Sequence, residues 1–311
     1  MTISQSHNKN TNAYCKYPAS PLLFKLSAKN KTNVCEIKLD EITVTGFMNA
    51  DQHQDTLKKN CWVPGAINII DGKPDMYNLF RDTDSIATLS KNKYYSDSWR
   101  IDTSNHLTEQ EKEYIISIIR LFDKPRITRL DIAVDFINFD DSGMNYTLYK
   151  PNTKIFYTRG KDGKFELITA GVRKSVQVYR FYNKMAELQQ KHKIKVPDYI
   201  KNWERLELQL RQTRSSNTVQ NWYERAIKML NCLILPDVNR LAVPSFKERA
   251  MINELLRHPE GFKELSSATR AKYRKKIREL NKKSVPARIK LALRTLETKK
   301  NNIQDEINSF L

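Results

Sequence analysis

Apolar and polar residues alternate with a period of two in three short stretches of this chain. In Thr128–Asp135, Leu130, Ile132 and Val134 alternate with Arg129, Asp131, Ala133 and Asp135. In Glu204–Arg211, Leu206, Leu208 and Leu210 alternate with Arg205, Glu207, Gln209 and Arg211, and Val178–Lys184 forms the third stretch. Side chains on a strand point alternately to its two faces, so each stretch predicts a strand with one apolar and one charged face. Ile37–Met48 predicts an earlier strand. Residues 154–158 and 164–170 flank Arg159-Gly160-Lys161-Asp162-Gly163, which has the composition of a hairpin loop. Residues 50–95 are mixed and show no assignable pattern.

Other stretches carry the helical period. Thr108-Glu109-Gln110-Glu111 has the spacing of a capping box, and Tyr114, Ile115, Ile118, Ile119 and Phe122 follow until Pro125. Asn183 to Lys195 reads as helical as far as Pro197. Beyond Ser215 the pattern is helical over Trp222–Leu235, Val243–Leu256, Gly261–Asn281 and Pro286–Phe310. This order predicts an α+β fold: a mainly antiparallel central sheet carrying the active site, followed by a helical, basic C-terminal region. The divisions expected are a flexible arm over 1–35, rich in Ser, Asn, Lys and Thr, a sheet domain over 36–215, and a helical region over 216–311.

Charge adds a partner to this picture. The 311 residues hold 54 Lys and Arg against 35 Asp and Glu, a net charge of +19, which favours a polyanion such as nucleic acid. An anionic membrane surface is the weaker reading, because no apolar run approaches the roughly 18–20 residues of a span and Met1 to Asn12 lacks the apolar core of a secretion signal. A cytoplasmic protein with no membrane partner is expected. The basic excess concentrates late in the chain: residues 265–311 carry 13 Lys and Arg against 4 Asp and Glu. Arg270, Lys272, Arg274, Lys275, Lys276, Arg278, Lys282 and Lys283 form its densest cluster. On a helix Arg270, Arg274 and Arg278 share a face, with Tyr273 nearby, and such a helix could follow phosphates or enter a groove. The alternative is a solvated helical face. The four cysteines and five histidines are scattered, with no CxxC pair and no His-x-His, so a zinc site of local ligands has no support.

The three alternating strands hold the chemistry. Tyr182 stands among cations and carboxylates, and phosphodiester cleavage by a tyrosine needs such a set: a phenol, acidic ligands for a divalent metal, and cations for the phosphate. Asp131 and Asp135 share a face but lie roughly 13 Å apart on a straight strand, too far for one ion. Asp131 is the favoured ligand, with Asp135 a weaker second. A central Glu207 on a neighbouring strand could converge with Asp131 on a hard cation, which the oxygen donors identify as Mg²⁺ or Mn²⁺. Arg205 could equally neutralise Asp131 in a structural ion pair. An unperturbed tyrosine is only about 0.1% ionised at pH 7, so Tyr182 needs help from a metal and from Arg180 and Lys184, which share its parity on an extended strand. Tyr179, of opposite parity, is the better core candidate.

The ordered set Arg129-Leu130-Asp131-Ile132-Ala133-Val134-Asp135-Phe136, Ile155-Phe156-Tyr157, Phe181-Tyr182-Asn183-Lys184 and Arg205-Leu206-Glu207 resembles the Rep_trans family. These are the replication initiators of Gram-positive rolling-circle plasmids. The likeness runs from about Lys38 to Lys283 and takes in Ser98-Trp99, Leu107-Thr108 and Ala271-Lys272-Tyr273. It implies that Tyr182 nicks one strand at the plasmid's double-strand origin, stays joined to the 5′-phosphate and frees a 3′-hydroxyl. It also implies acidic metal-site residues at the Asp131 and Glu207 positions, a homodimer, recruitment of a host replicative helicase, and origin reading through the Arg270–Lys283 cluster. The other large class of rolling-circle initiators uses a His-hydrophobic-His metal site, which this chain lacks. Two rivals remain: a DNA-binding replication or regulatory protein without enzymatic activity, and a tyrosine recombinase, whose His-x-x-Arg occurs nowhere in the chain.

Overall fold

A computed structural model describes residues 32–66, 72–82, 84–92, 97–104, 107–141, 146–150, 152–160, 165–190, 196–213, 217–235, 243–283 and 285–311, with backbone alone at 84, 165 and 281–283. The arm expected over 1–35 therefore lies outside the described residues up to 31. Described elements begin with β1 (Val34–Phe47), α1 (Gln54–Lys59), β2 (Trp62–Pro64), β3 (Met76–Arg81), β4 (Asp84–Lys91) and β5 (Ser98–Thr103). Next come α2 (Glu109–Ile119), β6 (Asp123–Ile137), β7 (Thr147–Leu148), β8 (Ile155–Arg159), β9 (Phe165–Ala170), β10 (Gln177–Asn183), α3 (Lys184–Gln190) and β11 (Trp203–Arg211). The chain closes with α4 (Trp222–Leu230), β12 (Leu233–Ile234), α5 (Phe246–Arg257), α6 (Ser267–Lys283) and α7 (Ala287–Asn308).

Ten strands form one antiparallel sheet in the order β2-β3-β4-β5-β1-β6-β11-β10-β9-β8, and β7 pairs with β12 apart from it. The expected α+β class and mainly antiparallel sheet are borne out. Residues 50–95, unassignable from their pattern, supply α1 and the outer strands β2 to β4. The sheet is widest where the alternating stretches predicted it: β1, β6, β11 and β10 are neighbours, in that order, at its centre.

One face of this centre is apolar. Leu130, Ile132, Val134 and Phe136 of β6, Leu206, Leu208 and Leu210 of β11, and Phe181 of β10 are fully buried in one cluster. Packed on it are Ile289, Ala292, Leu296, Ile303 and Ile307 of α7, Ala226, Met229 and Leu230 of α4, and Ile115, Ile118 and Ile119 of α2. Each of the larger side chains among them, alanines excepted, stabilises by about 1.5–3 kcal/mol on full burial. The α2 start is the capping box expected: the Thr108 hydroxyl accepts from Glu111 N and the Glu111 carboxylate accepts from Thr108 N. Arg288 of α7 is buried beneath the helix, where it donates to Glu204 at 2.6 Å and to Asp141, and lies over the rings of Phe136, Phe139 and Tyr146.

Some helical readings change. The Trp222–Leu235 helix stops at Leu230, because Leu233 and Ile234 leave it to pair with β7. Gly261–Asn281 divides into a 3₁₀ turn over Pro259–Glu264 and α6, whose start is fixed by Ser266 Oγ accepting from Thr269 N. The apolar positions of the last helix lie inside the sheet's own core. Helices α5 and α6 share a second, smaller cluster with Tyr149 and Ile234, built on Ile252, Leu255, Leu256, Phe262 and Ile277.

Candidate active site

The register of the central strands sets the site. Arg180 of β10 lies opposite Glu207 of β11, and Tyr182 lies opposite Arg205. Across the next pair, Arg205 is opposite Asp135, Glu207 opposite Ala133 and Gln209 opposite Asp131. Directly opposed residues in an antiparallel pair share a face, so the second face of the sheet collects all of these polar groups. The small Ala133 leaves room above the middle of that floor.

This face is charged, yet at its centre it is closed to water. Asp131 is 1% exposed, and Asp135 and Arg205 are 0% exposed. Buried charges persist only when paired, and here each carboxylate faces arginine. Arg205 holds Asp135 with two bonds, Nε to Oδ1 at 2.7 Å and a second guanidinium nitrogen to Oδ2 at 2.8 Å, and reaches Asp40 at 2.9 Å. Trp203 Nε1 adds a bond to Asp135 at 2.8 Å, and Lys38 Nζ stands 3.7 Å away. This environment drives the Asp135 carboxyl well below its usual range, against the opposing effect of burial.

Asp131 is held differently. Arg129 grips it from two residues along the same strand, at 3.0 and 2.5 Å, and Gln209 donates to it at 3.0 Å. Burial nonetheless dominates and raises its pKa. Arg129 also pairs with Glu41 at 2.6 Å, where burial pushes the carboxyl up to about 7. Asp40 and Glu41 reach this face because β1 carries a register shift between Leu39 and Glu41, opposite Ile132 and Asp131. The signal in the sequence was two successive acids interrupting a strand's alternation, as a bulge does.

Tyr182 is half-buried at the rim of the floor. Its hydroxyl donates to Glu207 Oε1 at 2.5 Å. Arg180 Nε stands 3.0 Å from the other Glu207 oxygen and the same guanidinium lies 3.5 Å from Asp131. Burial and the Glu207 charge push the Tyr182 phenol far above its ordinary value, and burial raises Glu207 as well. Tyr179, on the opposite face, is buried as its parity predicted.

Lys184 departs from the extended-strand reading. Strand β10 ends at Asn183, whose side chain accepts from Ala186 N and so opens α3 with Lys184 as its first residue. Lys184 is buried, paired with Glu187 at 2.7 Å, and its Nζ lies 5.8 Å from the centre of the Tyr182 ring. The groups brought together are thus Tyr182, Arg180, Glu207 and Asp131, with Asp135 committed to Arg205. Arg129, Asp40, Glu41, Gln209 and Trp203 complete the floor and were not singled out from the sequence.

As donors, Asp131 and Glu207 have the oxygen chemistry a hard divalent cation requires. In the arrangement present Arg180 stands between them, and among the described residues no three His, Cys, Asp or Glu side chains converge on a common point. An ion held by Asp131 and Glu207 would take the place of that guanidinium. Arg180 is the member of the cluster able to leave, its side chain being 35% exposed.

Three replication initiation proteins of Staphylococcus aureus match the chain: one is 30% identical over 199 residues, another 28% over 215, and a third 27% over 256. These matches cover 61%, 66% and 79% of this chain. They span 59%, 64% and 76% of the respective relatives, under two thirds of the length of the first two. The chain is similar to these replication initiation proteins over the stretches given. The resemblance read from its motifs is borne out at that level. No model of a known protein family matches the chain. The solved structure of a rolling circle replication initiator protein from Geobacillus stearothermophilus aligns over 70% of this chain and 91% of its own, with TM-score 0.44 and 15% identity. Among the described residues no helix is long and apolar enough to cross a membrane.

The basic cluster of α6 divides into two faces. On the inner face Arg270 donates to the carbonyls of Leu265 and Lys263, and Arg274 lies over the Phe262 ring and donates to Asn152 at 3.0 Å. Tyr273 packs into the small cluster with Ile277, and Lys276 pairs with Glu248. Lys272, Lys275 and Arg278 are exposed on the outer face. The single stripe of Arg270, Arg274 and Arg278 is therefore replaced by an anchoring set and an outward set. The side chains of Lys282 and Lys283 lie outside the described residues.

Proposed function

We propose that the protein initiates rolling-circle replication of a plasmid by nicking one strand of its double-strand origin at Tyr182. The observation that carries this reading is the 2.5 Å bond from the Tyr182 hydroxyl to Glu207, with Arg180 facing the same carboxylate. A nucleophile within bonding reach of a base, the base in turn oriented by a cation, is the arrangement covalent catalysis requires. The rolling-circle mode is supported by the motif resemblance. Initiation of replication as such is supported by the named relatives.

The reaction is a transesterification. Tyr182 Oη attacks the scissile phosphorus and passes its proton to Glu207, while the bond from phosphorus to the 3′-oxygen breaks. The leaving 3′-oxygen receives a proton returned from Glu207 through solvent, so no ATP is consumed and the 5′-phosphotyrosine bond keeps the step reversible. Arg180, half-exposed at the rim, would transfer its charge from the carboxylates to the phosphate as DNA arrives. Mg²⁺ or Mn²⁺ held by Asp131 and Glu207 would supply Lewis-acid polarisation of the phosphate when bound. Origin DNA would lie against Lys272, Lys275 and Arg278 of α6. A homodimer and a host helicase as partner belong to the same proposal.

The test is a nicking assay on supercoiled plasmid carrying the origin, with Mg²⁺, Mn²⁺ or EDTA, followed by mass spectrometry of the digested protein. Metal-dependent relaxation with a nucleotide adduct on Tyr182, lost in Tyr182→Phe while origin binding persists, is the expected result. Origin binding without cleavage under any metal would instead favour a DNA-binding protein without enzymatic activity.

A further inference from the structure

Two aromatic residues of the Ile155-Phe156-Tyr157 segment part company in the fold. Tyr157 is opposite Ile168, which is opposite Phe181, so it lies on the apolar face, half-buried, with its hydroxyl 3.2 Å from Thr147. Phe156 is opposite Thr169, which is opposite Arg180, which is opposite Glu207. One unbroken row across four strands thus runs Phe156, Thr169, Arg180, Glu207, all on the face that holds Tyr182. Phe156 is 49% exposed at the edge of the sheet, so it serves no core. Two strand spacings put it about 10 Å from Arg180. Between them Thr169 and Leu167 are uncharged and half-buried, in contrast to the ionic floor on the other side of Arg180.

Beside this ring the surface turns basic. Gly171 N donates to the carbonyl of Lys154, which brings the turn after β9 against the start of β8. Lys154, Arg173 and Lys174 are all exposed there. An exposed aromatic face on a neutral strip, bordered by cations and leading to a cluster that handles phosphate, has the make-up of a single-strand platform, where bases stack and phosphates meet charge.

We propose that Phe156 stacks on a base of the single-stranded DNA flanking the scissile phosphate, with Lys154, Arg173 and Lys174 holding the backbone beyond it. The position of that strand rests on the nicking reading above. Stacking would draw the strand across β8, β9 and β10 and hold the phosphate at Tyr182, making Phe156 a positioning residue. An exposed aromatic on an edge strand is otherwise a liability for self-association.

The full chain is titrated at low salt with a short fluorescein-labelled oligothymidylate and with its abasic counterpart. Phe156→Ala should bind the oligothymidylate roughly five- to a hundredfold more weakly than wild type. Phe156→Trp should restore binding and add a fluorescence quench on DNA addition. On the abasic strand Phe156→Ala and wild type should coincide, and duplex origin binding should be unchanged throughout. Equal oligothymidylate binding by wild type and Phe156→Ala overturns the proposal, as does an equal loss on the abasic strand. A loss of dimer in Phe156→Ala with single-strand affinity intact overturns it in favour of a contact between copies. Failure of Tyr182-dependent nicking would sink the nicking reading alone, since these titrations need no cleavage.

Discussion

Tyr182 and Glu207 are not register partners, yet their side chains meet. Tyr182 is opposite Arg205 and Glu207 is opposite Arg180, so phenol and carboxylate approach along the diagonal between two strands, at 2.5 Å. Diagonal neighbours are within reach of long side chains, and each of the two direct pairs supplies an arginine that frames the contact. Arg180 faces Glu207 Oε2, and Arg205 lies 4.0 Å from Oε1. The Tyr182 phenol and the Glu207 carboxylate are thereby held between two cations, Arg205 sealed beneath and Arg180 open at the rim.

Glu207→Gln should therefore slow nicking about 10²–10⁴-fold, the usual contribution of a positioned base, with origin affinity kept. The base works deprotonated, and burial raises the Glu207 pKa. Wild-type rate should rise with pH through a value above the ordinary carboxylate range, and this acid limb should vanish in Glu207→Gln. Single-turnover nicking across pH measures both. An unchanged limb in the variant would reassign the titration to another group.

Arg180→Gln separates the arginine's two duties. With the guanidinium gone from between Asp131 and Glu207, Mn²⁺ should bind about two- to fivefold more tightly, an effect of the order of one partly exposed ion pair. Nicking should fall at the same time, since the phosphate loses its cation. Mn²⁺ binding is read by water-proton relaxation without DNA. Weaker Mn²⁺ binding in the variant would mean that the ion lies elsewhere.

Much of this floor was legible in the sequence, for a reason that also marks the limit. Alternation in Leu130–Asp135 and Leu206–Arg211 fixes which side chains share a face, so Asp131, Glu207, Arg180 and Tyr182 could be placed together before any coordinates. Register is a long-range property, and no period within one strand tells that Arg205 falls opposite Asp135 rather than Asp131. For the same reason Asp40 and Glu41 went unnoticed, since they join the site through a bulge in a strand far away in sequence. Lys184 misled because parity holds only while the strand lasts, and Asn183 ends it with a cap. The β2–β4 strands were hidden by the shortness of β2 and by irregular pairing of β3 with β4, which carries a register shift between Leu79 and Phe80.

The outward face of α6 gives a prediction distinct from that of its inward face. Replacing Lys272, Lys275 and Arg278 together by Ala should weaken origin binding across sequences and reduce the slope of log affinity against log salt by about 2–3, with stability unchanged. Arg274→Ala removes the contact over Phe262 and the bond to Asn152. It should lower thermal stability while leaving the salt slope nearly as it was. Fluorescence anisotropy across a salt series, beside thermal melts, tells the two sets apart.

The Asp135–Arg205 pair carries the last prediction, and its sign follows from linkage. Asp135 has a pKa lowered in the fold, so it binds fewer protons folded than unfolded, and stability rises with pH wherever that difference exists. Its contribution is complete above the unfolded value near 3.9 and is lost as pH falls through the folded one. Asp135→Ala should cost about 3–5 kcal/mol at pH 7, because it leaves Arg205 buried with Asp40 as its remaining close partner. That deficit should narrow as the pH drops below 4, where the unfolded chain takes up a proton that folded Asp135 does not. Combining Asp135→Leu with Arg205→Met should recover part of the loss, since the buried guanidinium is then gone, although Asp40 gives up its 2.9 Å bond. Urea unfolding at pH 7 and in the acid range measures all three chains. If the single variant is as stable as wild type at pH 7, the pair does not hold the sheet's centre, and Asp135 would be free for a different role at the site.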